Sequence, residues 1–168
     1  EKIPSLRPAF KKNGTVTAAN SSSISDGAAS LLLMKESEAH KRGIKPLARI
    51  VCHATNSQEP KWFTTAPIDA IKKVLKKANW KVGDVDLFEV NEAFAVVPMA
   101  VMKELSIPEN ILNIHGGACA LGHPVGASGA RIITTIINAL SQNNLKKGVA
   151  ALCIGGGEAT AMALELIN

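Results

Sequence analysis

From residue 47 onward the chain alternates between short runs rich in small and β-branched apolar residues and longer stretches with helical periodicity. This alternation restricts the fold more than any other feature. Extended segments are expected at 47–54, 85–90, 111–115, 148–154 and 159–167, with helices at 67–79, 93–105 and 125–141 separating the first four. Pro67 suits the first turn of one helix, and Gly43 suits the end of a shorter one at 35–42, which follows an apolar strand-like run at 29–34. Strand–helix–strand order demands right-handed crossovers, which lay helices over a parallel sheet. Only Gly155, Gly156 and Gly157 with their neighbours separate the last two strands, so that pair must be antiparallel. The expected class is a layered α/β fold: a mostly parallel five-stranded sheet, its last strand antiparallel, with helices on both faces. With no Tyr and only 4% aromatic residues, the core must be built from Ala, Val, Ile and Leu.

In open sheets of this kind ligands bind beyond the carboxyl ends of the strands. Asn91 follows the 85–90 strand, the loop from His115 to His123 follows 111–115, and Cys153 ends 148–154, so three chemically capable side chains converge on one edge. His123 lies in GGACALGHPVGASGAR (116–131) and Cys153 in ALCIGGGEA (151–159), both beside glycines that let backbone amides approach a substrate. Pro124 can open the following helix, whose N-terminal field would keep the His123 imidazole neutral and able to accept a proton. The plain alternatives are a loop histidine and an inert strand cysteine. Asn91 likewise reads either as a helix N-cap or as an amide that fixes a water or a carbonyl oxygen. Cys52, inside a strand, reads as core; Cys119 stays open between packing and chemistry, with packing favoured.

The net charge of +5 is concentrated in Lys72, Lys73, Lys76, Lys77 and Lys81 along one helical face, which reads as a solvated face. Without interleaved aromatics or a nucleic-acid motif, nucleic acid is not expected as a partner. The apolar runs fall short of the ~18 residues that cross a bilayer, so no membrane partner is expected either. Three cysteines at spacings that match no metal motif point to a reducing compartment and to no metal site. Residues 1–25 are polar, and only Thr15 to Asn20 reads as extended. Together with the absence of an initiating Met, this raises the expectation that sequence lies upstream.

Five motifs taken together resemble the C-terminal motif set of thiolases. They are Asn91-Glu-Ala-Phe94, Gly116-Gly-Ala118, Gly122-His-Pro124, Gly126-Ala-Ser-Gly129 and Cys153-Ile-Gly-Gly-Gly157. Thr15-Val-Thr-Ala-Ala-Asn-Ser-Ser22 and Asp26-Gly-Ala-Ala29 resemble the segment that precedes them, so the likeness covers nearly the whole chain. The resemblance implies an acetyl-CoA C-acetyltransferase that condenses two acetyl-CoA to acetoacetyl-CoA, or cleaves that product with CoA, using no cofactor because CoA is itself a substrate. It implies that His123 activates a nucleophilic cysteine and that Cys153 moves the proton at the α-carbon. Asn91 would hold a water in the oxyanion hole for the enolate, and the Gly155 amide would serve the second hole. Ser22, Ala18 and Phe94 would line the pantetheine arm of CoA.

The same resemblance divides the chain into 1–25, the tail of the CoA-covering loop domain; 26–46, the end of the N-terminal domain; and 47–168, the C-terminal domain. It suggests a homo-oligomer, dimer or tetramer, in the bacterial cytoplasm or in mitochondria, serving lipid metabolism. Thiolases are about twice this length, and their nucleophilic cysteine lies in the half that precedes this segment. Neither Cys52 nor Cys119 stands in its context, so the chain alone is expected to be inactive and to need an N-terminal partner half. Smaller departures are His115, where Asn is frequent, and Trp62-Phe63, in a loop that usually holds smaller residues. The alternative is a noncatalytic remnant that binds CoA or acyl chains or mediates oligomer contacts.

Overall fold

A computed structural model describes residues 2–167. Residues 1 and 168, the outer ends of two of the expected domains, lie outside it. Four strands, β1 (Ala48–Ser57), β2 (Leu87–Val90), β3 (Lys147–Ile154) and β4 (Glu158–Leu166), form one sheet in the order β1-β4-β3-β2. The helices are α1 (Glu36–Lys41), α2 (Ala66–Ala78), α3 (Val96–Leu105), α4 (Ala118–Leu121) and α5 (Ser128–Gln142).

The layered α/β class with helices on both faces holds, but among the described residues the sheet has four strands rather than five. Only the β2–β3 pairing is parallel, because β4 folds back from β3 and inserts between β3 and β1, antiparallel to both. The directional expectation survives this rearrangement: β1, β2 and β3 all point the same way and β4 alone is reversed. Gly157 makes the reversal possible with φ +100, in a turn where a Cβ would collide with the Gln58 carbonyl. β4 is alanine-rich and packs on both faces, as befits a central strand.

The expected strand at 111–115 is replaced by a single 3-10 turn (Glu109–Ile111) and one bridge between Phe88 and Leu112. Asn113 adopts φ +49 and ends the extended run, then substitutes its side chain for a strand. Its Oδ1 accepts from Val90 N at 2.7 Å, its Nδ2 donates to Val90 O at 2.8 Å, and its own N–H donates to Phe88 O at 2.9 Å. The run 29–34 forms no strand either: Leu32 and Leu33 are exposed, and no strand pairs with it among the described residues.

Helix positions follow the apolar periodicity. Ile68, Ile71, Val74 and Leu75 bury one stripe of α2, leaving Lys72, Lys73, Lys76 and Lys77 outside as expected. Lys73 and Lys77 fold back to donate to Thr55 O, Asn56 Oδ1 and His53 O on β1. One core lies between α2, α3 and the sheet, centred on Phe88, Val90, Val149 and Ala161. The other lies beneath α5, where Ile132, Ile136 and Leu140 cover Leu87, Ala150 and Leu164. The small strand side chains let helices approach closely, most tightly at Gly148, where a Cβ would stand 2.8 Å from Ile136.

Two helices start three residues later than the periodicity suggests. α3 begins at Val96 because Ala93 O accepts Ser22 N and Ser22 Oγ, and Ala95 N donates to Asn20 O, holding 93–95 against the N-terminal arm. α5 begins at Ser128 because 124–127 form a turn in which Ala127 N and Ser128 N both donate to Pro124 O. Pro124 therefore opens that turn rather than the helix.

Candidate active site

The carboxyl ends of β1, β2 and β3 share one edge, and the loops leaving it carry the expected chemistry. Asn91 is the first residue beyond β2; its N–H donates to Ala151 O at 2.9 Å, which ties it to β3 two residues before Cys153. Its side chain is fully buried, with Nδ2 3.5 Å from His123 Nε2. His123 is positioned from two sides. Its N–H donates to Ser23 O at 2.8 Å, within a bridge to Ile24, and its Nδ1 lies 2.6 Å from Ser128 Oγ at the start of α5. Gly122, at φ +92, lets the chain pass so close to Ser25 that no side chain would fit there.

Asn91 and His123, 32 residues apart in sequence, are thus adjacent in space. Cys153 occupies the neighbouring strand end, buried, and Gly155 lies in the exposed turn beyond it. Ser22 sits opposite Ala93, to whose carbonyl its hydroxyl donates at 3.0 Å. Phe94 pairs with Ser21 in a bridge and packs edge-on against Phe10 at 5.6 Å and Phe63 at 6.3 Å, so the departure at Phe63 becomes part of this cluster. Ala18 is exposed in the 3-10 turn Ala18–Asn20, which Thr17 caps.

The ionisation pattern separates the three thiols from the imidazole. Burial pushes Cys153 above the ordinary thiol range, so at neutral pH it carries its proton. Burial and the nearby Glu92 push Cys119 up to about 11, and its backbone N–H donates to Glu92 Oε2 at 3.0 Å. Cys52, half-buried against the core, donates to Val74 O and is likewise pushed up by burial. Burial first, and the Arg131 cation second, lower the His123 pKa and keep the ring neutral. The ring also lies at the N-terminus of α5, through Ser128, as expected, although that helix begins five residues later.

Sequence reasoning left Glu89, Asn113, Ser128 and Arg131 without roles and offered Glu92 only as a helix cap. Glu92 clamps two loops together, accepting from Asn113 Nδ2 at 3.3 Å and from Cys119 N, while Gly117 leaves room for its carboxylate. Glu89 had a readable signal: it is a carboxylate within an otherwise apolar strand end, and such a group needs a buried cation. That cation is Arg131, 2.9 Å away. Among the described residues no cluster of three or more His, Cys, Asp or Glu could hold a metal, and no helix is long and apolar enough to cross a membrane.

Residues 44–166 match the thiolase C-terminal domain and residues 1–37 the thiolase N-terminal domain. A probable acetyl-CoA acetyltransferase of Dictyostelium discoideum is 56% identical over 165 residues, covering 98% of this chain and 40% of its own length. The acetyl-CoA acetyltransferase of Bacillus anthracis superposes with a TM-score of 0.96 at 44% identity, covering 99% of this chain and 42% of that one. A thiolase of Ascaris suum solved in complex with coenzyme A superposes with a TM-score of 0.89 at 41% identity, covering 99% of this chain and 44% of that one. The chain thus spans about two-fifths of the length of the curated relatives it matches. With matches to both thiolase domains in chain order and the motif loops gathered at one sheet edge, this chain belongs to the thiolase family.

Proposed function

We propose that this chain is the C-terminal catalytic portion of an acetyl-CoA C-acetyltransferase, with the nucleophilic cysteine supplied by a segment outside it. In the thiolysis direction that thiol loses its proton to His123 Nε2, and its sulfur adds to the β-keto carbon of acetoacetyl-CoA. The C–C bond breaks, leaving an acetylated cysteine and the enolate of acetyl-CoA, which takes its α-carbon proton from the Cys153 thiol. CoA then accepts the acetyl group, and its thiol proton restores the starting state. Condensation is the reverse. Asn91 Nδ2 donates to a water that, together with the protonated His123 Nε2, faces the enolate oxygen. The Gly155 amide meets the tetrahedral oxyanion. Ser22, Ala18 and Phe94 flank the CoA arm, with residues 1–25 as part of the covering loop domain and 26–46 as the end of the N-terminal domain. The assembly is a homo-oligomer of cytoplasm or mitochondria.

The single observation that carries this reading is the approach of Asn91 to His123 at the strand edge that ends in Cys153. It is tested by pairing the chain with the N-terminal segment of an acetyl-CoA acetyltransferase relative and following loss of acetoacetyl-CoA. The chain alone should be inactive and the pair active, and His123→Ala and Cys153→Ala should abolish the restored rate. Asn91→Ala should cost about 10²–10³ in kcat, as loss of an oxyanion donor does. Restored activity that survives both the His123 and the Cys153 substitution would sink the assignment.

A further inference from the structure

We propose that Arg131, anchored by Glu89, fixes the orientation of the Asn91 amide and through it holds His123 in the Nδ1–H form, with Nε2 unprotonated and facing the Asn91 amide. The inference rests on the reading of His123 as a base, and both Arg131 and Glu89 are positioning residues.

Five side chains form one directed hydrogen-bond chain whose ends admit a single assignment. Arg131 can only donate. Its Nη1 donates to Glu89 Oε1 at 2.9 Å, and its Nη2 lies 3.4 Å from the Asn91 amide, where it must meet Oδ1. Asn91 Nδ2 then faces His123 Nε2 at 3.5 Å, and since an amide nitrogen only donates, Nε2 must accept. A neutral imidazole has one hydrogen, which is thereby placed on Nδ1 and donated to Ser128 Oγ at 2.6 Å. The hydroxyl passes its own hydrogen to Pro124 O at 3.1 Å, a group that can only accept. Turning the amide over would set N–H against N–H at Arg131. Protonating Nε2 instead would do the same at Asn91, which is fully buried.

The arrangement needs an arginine. The planar fork reaches Glu89 with one nitrogen and Asn91 with the other, whereas a lysine ammonium is a single point that cannot hold both at these positions. Glu89 belongs to β2 two residues before Asn91, and its side chain is almost fully buried, so the pair is built into the sheet rather than laid on its surface. Arg131 lies on α5 three residues after Ser128 and so shares a helix with the other partner of the imidazole. One sheet end and one helix thus set both ring nitrogens.

The test is 15N NMR of the imidazoles in the whole chain, with the His123 signals assigned by their loss in His123→Gln. In the unmodified chain His123 should show a single form, with Nδ1 protonated and Nε2 bare. The double variant Glu89→Gln/Arg131→Met removes both charges and leaves no buried carboxylate unpaired. There the His123 signals should shift to those of two exchanging tautomers. Should that variant fail to fold, Arg131→Lys keeps the charge opposite Glu89 but drops the donor to Asn91, and the same mixture is expected. A single Nδ1–H form persisting in whichever of these variants is folded overturns the proposal, as does an Nε2–H form in the unmodified chain. No turnover is measured, so failure of the acetyltransferase reading would appear separately, as a paired enzyme that does not cleave acetoacetyl-CoA.

Discussion

Asn113 should be worth more to stability than its half-exposed position suggests. Among the described residues no strand neighbours the outer edge of β2 at Val90; both backbone groups there are satisfied by the Asn113 side chain, at 2.7 and 2.8 Å, and Val90 itself is 1% exposed. Removing the side chain orphans one buried N–H and one buried C=O. At ~1–3 kcal/mol for each unsatisfied group, the expected loss is about 2–6 kcal/mol. Asn113→Gly isolates this effect, because glycine tolerates the φ of +49, whereas Asn113→Ala adds roughly 1 kcal/mol of left-handed strain. Asn113→Asp is the sharper variant. It keeps the acceptor for Val90 N–H but turns a carboxylate oxygen towards Val90 O and the Glu92 carboxylate, so it should be less stable than Asn113→Gly at pH 7. Urea unfolding followed by circular dichroism gives the ranking: wild type, then Gly, then Ala, with Asp below Gly. A Gly variant within about 0.5 kcal/mol of wild type, the scale of an ordinary surface substitution, refutes the reasoning. So does an Asp variant more stable than the Gly variant.

Burial holds Glu89 up to about 7 in the folded chain, above its ordinary 4.5, although Arg131 pulls the other way. The folded state therefore holds this proton more tightly than the unfolded state, and the stabilisation that binding it provides is present in full below pH 4.5 and lost as pH rises to about 7. The stability of wild type relative to Glu89→Gln should fall by up to about 3 kcal/mol across that window, and a flat difference between their urea midpoints contradicts it. Gly157→Ala forces a Cβ onto the Gln58 carbonyl at a φ that side chains avoid; it should cost at least about 1–2 kcal/mol and lower the melting temperature, and an unchanged melting curve would exclude this account of the turn.

Much of this molecule can be read from residue patterns, and the misreadings have specific physical origins. The stripe Ile132, Ile136, Leu140 and the alternation in β3 declare a helix and a strand because one buried face suffices to specify each. The run 29–34 has strand composition but no partner among the described residues, and a strand exists only by pairing. At 111–115 the apolar run was visible, but nothing local announced that Asn113 would turn left-handed and pair through its side chain. The insertion of β4 between β1 and β3 is a long-range choice, set by which faces its alanines can cover, and no short window records it. The glycine-flanked neighbourhoods of His123 and Cys153 are unusual, which is why the sequence offers both as candidates. Arg131 is not among them, since an arginine on an amphipathic helix looks solvated until Glu89 appears beneath it.

The central claim is that His123 and Cys153 carry protons for a cysteine this chain does not contain. Its most direct test is to quench the paired enzyme during turnover with acetyl-CoA and locate the acetyl group by peptide mass spectrometry. The account predicts the acetyl group on a cysteine of the supplied N-terminal segment, with Cys52, Cys119 and Cys153 unmodified. An acetyl group on Cys153 would contradict it, making the buried thiol of β3 the nucleophile.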